Sequence, residues 1–308
     1  MILVTGAAGK TGRAVMQALV AWGAAVRGWV RRPEQAAILR EAGAADVVVG
    51  DIADPSVYAG ALAGVASVYH ICPNMHPDEV KIGRWLVAAA RAAGVRHIVY
   101  HSVLHPQTEA MPHHWNKLRV EELLFESGIA TTVLQPTAYM QNLLAGWQRI
   151  VDEGVYAVPY PAATRLSLVD LHDVAAAAAR VLTEPELVGG TYELVGTVGL
   201  TQTAVSHTLA THLNRLVQFK EIPLDEWQAG AEAAGLSPYA IDTLRRMFVY
   251  YANYGLVGNP FVLRQLLRRE PTSLAEFVAV QEAPAHRVPG NDVGKVVIQA
   301  NFDDPIVG

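Results

Sequence analysis

A glycine-rich segment near the start of the chain has the spacing of a dinucleotide-binding turn. Gly6, Gly9 and Gly12 form a G-x-x-G-x-x-G pattern that directly follows a short apolar run. Glycine is needed there because the backbone must turn tightly and approach a pyrophosphate, whose charge then lies on the N-terminal amides of the next helix. The residues of this turn that we predict to contact a dinucleotide are Gly6, Ala8, Gly9, Lys10, Thr11 and Gly12.

Two arginines follow the second predicted strand, where NAD-binding proteins usually carry Asp or Glu for the ribose 2′-hydroxyl. Arg31 and Arg32 instead predict a preference for NADP(H), because a charge-assisted bond from a guanidinium to the 2′-phosphate contributes about 1.5–3 kcal/mol. At about 1.4 kcal/mol per decade, one such arginine gives roughly ten- to hundredfold selectivity. Arg31 is the first candidate and Arg32 the second. The alternative is a solvated pair that starts the next helix.

The ends of other predicted strands supply further cofactor contacts. Asp51 and Ile52 follow the third strand, whose carboxyl end lies beside the second, so we expect them to line the adenine. An exposed turn is the alternative for Asp51. Cys72 follows the fourth strand and Pro136 the sixth, and both are predicted cofactor contacts. A buried small apolar side chain is the alternative for Cys72.

A histidine and a lysine four residues apart offer groups for proton transfer. One large family of nicotinamide-dependent dehydrogenases places Tyr and Lys at i and i+4 on one helical face, so that the ammonium activates the phenol. None of the 11 tyrosines is followed by Lys at i+4, whereas His113 precedes Lys117 at that spacing. Three interpretations of Lys117 stay open: a general acid, a ligand of the cofactor ribose or amide, and an exposed helix lysine. The predicted catalytic residues are Lys117, His113 and Ser102.

Histidine and aromatic side chains near these groups predict the substrate side of the site. His113 and His114 fall in the first turn of a predicted helix, where the helix dipole disfavours protonation, so we expect neutral imidazoles near pH 7. A surface or loop position is the alternative for either histidine. No metal site is predicted, because the histidines between 101 and 114 lack a ligand-spaced helix and a carboxylate partner. The predicted substrate-pocket residues are His101, His114, Trp115 and Tyr139.

The elements that must position these side chains alternate between short β-branched runs and longer segments of helical period. The predicted strands are residues 2–5, 25–30, 46–49, 67–71, 97–101 and 131–134. The predicted helices between them are residues 12–22, 34–42, 55–61, 79–93 and 112–126. This alternation predicts an α/β fold with a doubly wound parallel Rossmann sheet.

Beyond Pro136 the alternation loosens, which predicts a smaller mixed α/β substrate domain. We place an NADP-binding Rossmann domain at 1–150 and the smaller domain at 151–282, with the chain returning to the Rossmann sheet near 165–182. A strand near 192–195 is assigned to the smaller domain. Residues 283–308 form a C-terminal extension with a β-like stretch at 295–302, which would pair as an edge strand or across a subunit interface.

Taken together, these segments resemble the NmrA-like branch of the atypical short-chain dehydrogenases. The resemblance extends to about Val280 and includes the glycine turn, residues 30–33, 50–51 and 97–102, Lys117 with Val120, Glu121 and Leu124, and residues 127–129, 135–142, 173–175 and 269–274. It implies a Rossmann domain with a small substrate domain and a preference for NADP(H). It also implies one of two functions: a reductase of quinones, enones or related aromatic carbonyl compounds, or a non-catalytic redox sensor that reports NADP(H) to a protein partner.

The composition of the chain limits which partners it can bind and in which compartment we expect it. The 308-residue chain has a net charge of −5 and no block of Lys or Arg, which disfavours direct binding to nucleic acid or to an anionic membrane. No apolar run approaches the ~18 residues of a membrane helix. A lone cysteine cannot form an internal disulfide, which fits a reducing compartment, so we expect a cytoplasmic protein. The leading hypothesis is an NADP(H)-dependent oxidoreductase, and a homodimer is an open alternative for its assembly.

Overall fold

The computed structural model describes residues 1–282. The predicted extension at 283–308, with its β-like stretch at 295–302, lies outside the described residues. The chain divides into two compact units. The first consists of Met1–Pro136, Leu171–Leu194 and Gln265–Arg268, and the second of Thr137–Asp170, Val195–Arg264 and the residues from Arg269 onward.

The strands within residues 1–282 are numbered here in chain order. They are β1 (Ile2–Val4), β2 (Val26–Val30), β3 (Asp46–Val49), β4 (Ser67–His70), β5 (His97–His101), β6 (Ala130–Pro136), β7 (Ala138–Tyr139), β8 (Val155–Val158), β9 (Arg165–Leu166), β10 (Leu168–Val169), β11 (Thr191–Leu194), β12 (Leu200–Thr201) and β13 (Gln218–Glu221).

The α-helices of the same range are numbered likewise. They are α1 (Lys10–Ala21), α2 (Glu34–Glu41), α3 (Tyr58–Leu62), α4 (Glu79–Ala93), α5 (Pro112–Phe125), α6 (Trp147–Glu153), α7 (Leu171–Thr183), α8 (Gln202–His212), α9 (Leu224–Ala233), α10 (Pro238–Tyr254), α11 (Phe261–Leu267) and α12 (Leu274–Glu282). Short 3₁₀ segments occupy Pro55–Val57, Met140–Gly146 and Pro185–Leu187. Among the described residues, no helix is both long enough and apolar enough to cross a membrane.

The main sheet of the first unit has seven parallel strands in the order β11-β6-β5-β4-β1-β2-β3. β1 pairs with both β2 and β4, so the strand order reverses between β1 and β4. In open α/β sheets, ligands bind outside the carboxyl ends of the strands at such a reversal. The predicted doubly wound parallel Rossmann sheet is confirmed, and its switch point lies next to the glycine turn.

The seventh strand corrects the sequence prediction, which has six strands in the sheet and assigns the strand near 192–195 to the smaller domain. β11 instead pairs in parallel with β6, from Thr191 opposite Val133 to Leu194 opposite Pro136. A parallel pair requires a long crossover that usually contains a helix. Here α7 lies in the crossover and packs against α1. Arg180 of α7 also donates to the carbonyl of Leu266, which joins the end of α11 to this unit.

One core of the first unit is formed by strand residues of the sheet with α3, α4 and α5. The buried residues of α4 recur at helical spacing, and Ile82 and Leu86 pack in a cluster with Val120 and Leu124 of α5. Glu79 stands at the start of α4 in phase with this stripe and is 1% exposed. A carboxylate therefore occupies a position that the helical period reserves for an apolar residue.

The second unit is mixed α/β, as the sequence predicts. β7 pairs with β10 and β8 with β13 in parallel, and β9 pairs with β12 antiparallel. Its apolar core includes Met140, Ile150, Tyr156, Leu209 and Phe277. These residues pack into one apolar cluster of the second unit.

Side chains cap the starts of two helices in the second unit. The Ser237 side chain accepts a bond from the Ala240 amide at the start of α10. At the start of α12, the Ser273 and Glu276 side chains each accept from the other residue's backbone amide, at 3.2 and 2.8 Å. This reciprocal pair is a capping box. Local capping chemistry therefore fixes both helix starts.

Candidate functional site

The glycine turn between β1 and α1 has the backbone geometry that a dinucleotide requires. Gly6 has a φ of +58°, in the left-handed region that favours glycine. A Cβ on Gly12 would lie 2.3 Å from the Gly6 carbonyl oxygen, so the turn accepts no larger residue there. Gly9 is the N-cap of α1 and makes no side-chain cap bond, which suits an anion as the capping group. The turn therefore fits a pyrophosphate.

Lys10 and Thr11 open α1 beside this turn. The Lys10 side chain is half-buried, and burial lowers the pKa of its ammonium. Thr11 is 8% exposed. The Arg13 side chain donates to the carbonyl of Ala8 at 3.4 Å, which connects the first turn of the helix back to the loop. The predicted turn contacts thus lie together at one helix N-terminus.

The two arginines after β2 have different surroundings. Arg31 is exposed. The Arg32 Nε lies 3.2 Å from Glu34 Oε1, and its backbone amide donates to Gln35 Oε1. Because Glu34 already neutralises Arg32, Arg31 is the arginine whose charge is better placed for a phosphate at the end of β2.

The other predicted cofactor residues lie at the ends of neighbouring strands. Asp51 is exposed, and its Oδ1 accepts from the Ala53 amide at 2.8 Å. Ile52 and Cys72 belong to the apolar core of the first unit. Burial, reinforced by the charge of Glu79, raises the pKa of the Cys72 thiol well above its ordinary value. Cys72 is therefore a buried neutral thiol. Pro136 ends β6, and its carbonyl accepts from the Leu104 amide at 2.8 Å.

Lys117 is buried on α5 at the carboxyl end of β5. Its Nζ donates to Glu79 Oε1 at 2.8 Å and to the His101 carbonyl, the last residue of β5, at 3.1 Å. It also lies 5.3 Å from the centre of the Tyr100 ring. With 5% exposure, Lys117 is not the exposed helix lysine of the third interpretation. An ammonium has three N–H donors, so these two bonds leave one donor for a ligand.

Glu79 connects Lys117 to two further side chains. The Tyr100 hydroxyl donates to Glu79 Oε1 at 3.0 Å. The His113 Nδ1 lies 3.8 Å from Glu79 Oε2 and makes no hydrogen bond within the described residues. Burial, and then the charge of Lys117, lowers the pKa of His113 well below its ordinary value. His113 is thus neutral at pH 7, as the sequence predicts, although burial rather than the helix dipole is the larger cause.

The charge of Lys117 also acts on two other buried histidines, His70 and His101. His101 Nδ1 lies 2.5 Å from the Tyr69 hydroxyl, and His70 Nδ1 lies 3.2 Å from the Thr5 hydroxyl. Burial, and then the charge of Lys117, lowers the pKa of both to about 3. Both imidazoles are therefore neutral at pH 7.

Ser102 belongs to a second polar cluster, with Glu121 and Gln135. The Ser102 hydroxyl donates to Glu121, and Gln135 Nε2 donates to both oxygens of the same carboxylate. All three side chains are buried. Burial raises the pKa of Glu121, and the bonds from Ser102 and Gln135 oppose that shift. Ser102 is thus bonded to a carboxylate that the sequence analysis names only as part of the family resemblance and not as a site residue.

The remaining predicted pocket residues are spread out. His114 is fully buried, its Nδ1 lies 3.1 Å from the His105 carbonyl, and burial lowers its pKa to about 4. Trp115 is half-buried on α5. Tyr139 belongs to the second unit. Within residues 1–282, no group of three or more His, Cys, Asp or Glu side chains is arranged to hold a metal ion.

The second unit contains a largely apolar cavity of about 530 Å³. Tyr139, Leu143, Tyr156, Tyr160 and Leu168 contribute its apolar lining. The Tyr156 hydroxyl donates to Gln202 Oε1 at 2.7 Å at its polar side. Aromatic walls with a few polar groups suit a flat, conjugated ligand. Of the predicted pocket residues, Tyr139 lines this cavity.

Sequence reasoning missed Glu79 and Glu121 as members of these clusters. Both stand in phase with the apolar residues of their own helices: Glu79 with Ile82 and Leu86, and Glu121 with Leu124. A charged residue in phase with an apolar stripe is expected to be buried, and buried charges are paired. That periodicity is the signal that would have found them.

Comparison with known proteins agrees with this geometry. A family model described as the NmrA-like family matches residues 1–282. An NAD(P)H azoreductase of Xenophilus azovorans is 28% identical over 92% of this chain and 98% of its own length. Quinone oxidoreductase 2 of Escherichia coli is 30% identical over 91% of this chain and 98% of its own length. The crystal structure of the E. coli enzyme complexed with NADPH has a TM-score of 0.80 and 29% identity, and covers 91% of this chain and 99% of that one.

Proposed function

This chain belongs to the NmrA-like family, and on that premise we propose that it is an NAD(P)H-dependent oxidoreductase that reduces quinones, azo compounds or related conjugated aromatic substrates. The observation that carries the proposal is the position of the buried Lys117–Glu79 pair at the carboxyl end of β5, close along the sheet to the glycine turn after β1. A dinucleotide site and a proton source thus lie at the same edge of one sheet.

The first unit supplies the cofactor site of this proposal. The residues that would hold the pyrophosphate are Gly6, Gly9, Gly12 and the first amides of α1. NADPH is preferred to NADH, because the exposed Arg31 at the end of β2 suits a 2′-phosphate. The bound nicotinamide supplies the hydride, and the protein contributes position and a proton.

Lys117 is the proton donor in this proposal. It is buried beside the carboxyl end of β5, and its ammonium keeps one N–H donor after the bonds to Glu79 and His101. A positive charge there also stabilises the oxyanion that develops when hydride reaches a carbonyl or quinone. His113 is neutral and lies within 3.8 Å of Glu79, so it is the second group able to move a proton.

The cavity of the second unit supports an aromatic substrate. Its volume of about 530 Å³ lies in the range of small-molecule pockets, and three tyrosines line it. We propose that it binds flat conjugated compounds. Replacing Ala157, which also lines it, by Phe is expected to raise the KM of a bulky azo dye at least threefold while that of a small benzoquinone changes less.

The function is tested with the 308-residue chain, NADPH and a panel of quinones and azo dyes, by following consumption of the reduced nicotinamide. NADPH oxidation that requires the quinone or dye supports the proposal. Lys117→Met is expected to lower kcat at least tenfold, whereas Lys81→Met, at an exposed lysine of α4, leaves kcat unchanged. If Lys117 only binds the cofactor, the variant raises the KM for NADPH and keeps kcat. NADPH binding without turnover of any panel member contradicts the reductase assignment.

A further inference from the structure

We propose that Glu79 is a positioning residue of this reductase: it holds the Lys117 ammonium at the carboxyl end of β5 and connects it to His113, through which the proton returns. The inference rests on the proposed function, which names Lys117 as the donor. It adds the residue that determines how Lys117 is held and how it recovers its proton after each turnover.

The two oxygens of the Glu79 carboxylate serve different neighbours. Oε1 accepts from Lys117 Nζ at 2.8 Å and from the Tyr100 hydroxyl at 3.0 Å. Oε2 faces His113 Nδ1 at 3.8 Å. That nitrogen is buried and has no hydrogen-bond partner within residues 1–282. Glu79 therefore bridges a charged amine and a neutral imidazole, and a small shift of His113 would complete the bridge.

The burial of this pair argues for a role beyond stability. Glu79 is 1% and Lys117 5% exposed. Removing two charges from water costs several kcal/mol per ion, and apolar residues of similar size are often as stable or more stable in such positions. Glu79 also interrupts the apolar stripe of α4, where an apolar side chain would pack with Ile82 and Leu86. Packing alone gives no reason for a carboxylate there.

Among the titratable groups around Lys117, Glu79 is the counter-ion that is bonded to its ammonium. The titratable side chains around the pair are Asp78 and Cys72 before α4, His70 on β4, Tyr100 and His101 on β5, and His113, His114 and Glu121 on α5. Burial keeps the four histidines neutral by lowering their pKa, and it keeps Cys72 and Tyr100 neutral by raising theirs. Asp78 is exposed, and Glu121 is bonded to Ser102 and Gln135.

These residues can supply the proton that one turnover consumes and replace it from solvent. Reduction of a quinone or carbonyl adds one hydride, which the reduced nicotinamide supplies, and one proton. Lys117 gives an Nζ proton to the substrate oxygen and becomes a neutral amine. Solvent then protonates His113 at Nε2, and the imidazolium releases its Nδ1 proton to Glu79. The resulting carboxylic acid protonates Lys117, which restores the ammonium and the carboxylate.

The first experiment needs neither cofactor nor substrate. Wild-type and Glu79→Gln proteins are treated with an amine-reactive ester between about pH 6 and pH 10, and modification of each lysine is quantified by mass spectrometry. Because only a neutral amine reacts, loss of the carboxylate is expected to move the Lys117 labelling curve at least about one pH unit lower, a tenfold change in neutral amine. The exposed Lys81 and Lys220 serve as internal standards whose curves do not move.

Two outcomes of the labelling overturn the proposal. In the first, the Lys117 curve keeps its midpoint in Glu79→Gln. In the second, the variant is labelled faster at every pH without a shift of the midpoint, which is the result of local opening alone. This measurement decides on Glu79 even if the wild-type protein turns over no substrate, an outcome that would instead contradict the proposed function.

The second experiment measures turnover as a function of pH. Glu79→Gln is expected to lower kcat at least tenfold and to change the KM for NADPH less than threefold, and Glu79→Asp, which keeps the charge, to restore part of kcat. His113→Gln is expected to lower kcat and to alter its pH profile. Asp46→Asn is the matched control, because it removes the Arg27–Asp46 ion pair (Nε–Oδ2 2.7 Å) at the amino end of the same sheet. A Glu79→Gln protein that loses stability but keeps wild-type kcat and pH profile overturns the proposal.

Discussion

Ser102, directly after β5, donates its hydroxyl proton to the buried carboxylate of Glu121 on α5. Gln135 Nε2 donates to both oxygens of that carboxylate, at 3.0 and 3.2 Å. The hydroxyl proton of Ser102 is therefore already engaged in a hydrogen bond within the protein. We therefore expect Ser102 to stabilise this buried carboxylate rather than to give its proton to a substrate.

Ser102→Ala is accordingly expected to affect stability more than turnover. The free energy of unfolding should fall by about 1–3 kcal/mol, because the buried Glu121 loses a hydrogen bond, while kcat changes less than about threefold. Urea unfolding and steady-state kinetics measure the two effects. Ser56→Ala, at an exposed serine, serves as the control. A tenfold fall in kcat with unchanged stability would instead make Ser102 catalytic.

Arg31→Ala is expected to weaken NADPH binding by roughly ten- to hundredfold and to leave NADH binding nearly unchanged. The reason is the loss of one charge-assisted bond to the 2′-phosphate, about 1.5–3 kcal/mol. Quenching or enhancement of nicotinamide fluorescence gives both dissociation constants. Arg40→Ala, on the exposed last turn of α2, is the control. Equal losses for the two nucleotides would remove Arg31 from the phosphate site.

Gly12→Ala is expected to abolish measurable binding of NADPH and NADH alike. The new Cβ would lie 2.3 Å from the Gly6 carbonyl oxygen and 2.9 Å from the Ala7 Cα, so the helix must move away from the turn. Gly60→Ala is the matched control, because a Cβ there meets no atom within 4 Å. Both proteins are compared by nucleotide fluorescence and by thermal unfolding. Wild-type affinity in Gly12→Ala would show that the turn does not hold the pyrophosphate.

The buried histidines predict a loss of stability in acid. The folded protein holds the pKa of His70 and His101 at about 3, because of burial and then the charge of Lys117. In the unfolded chain a histidine has a pKa near ~6.5, so below that value the unfolded state binds protons that the folded state does not. Stability is therefore complete above about pH 6.5 and falls as the pH decreases toward 3.

The share of one histidine in the pH dependence of the free energy of unfolding can be measured. Each such histidine contributes up to about 1.4 kcal/mol per pH unit. Urea unfolding at several pH values should therefore give His70→Gln a shallower slope than the wild-type protein, by about one histidine's share. His207→Gln, at an exposed position of α8, should keep the wild-type slope. If both variants keep that slope, His70 does not take up a proton on unfolding.

The elements that local sequence determines were predictable, and the long-range pairing was not. β3, β5 and α4 have the predicted bounds, because apolar runs and helical periods end at clear signals, such as Gly94 with a φ of +71° after α4. β11 was recognised as a strand but assigned to the wrong unit. Its partner is β6, and the two are separated by a crossover that contains all of Thr137–Asp170 and α7, so no local pattern records the pairing.

The same distinction holds for the site. The glycine turn is a local motif, and its geometry follows from the sequence. The partner of Lys117 lies 38 residues away on another helix. Periodicity places Glu79 on the buried face of α4, but only tertiary packing brings that face to α5. For His113, the sequence predicted the correct neutral state but named the helix dipole as its cause. The larger cause is burial, which depends on tertiary packing and cannot be inferred from the position of a residue in a helix.

The pairing of β11 with β6 also affects how the chain folds during its synthesis. Translation releases Met1–Pro136 before β11, which leaves β6 at the edge of an unfinished sheet. The free N–H and C=O groups of such an edge are a template for pairing with another nascent chain. β11 covers that edge only after residue 194 has left the ribosome, and the Leu266 contact with Arg180 forms later still. The edge of the finished sheet is then β11, a strand of 4 residues in place of the 7 of β6, and short edge strands are less prone to pairing with another chain.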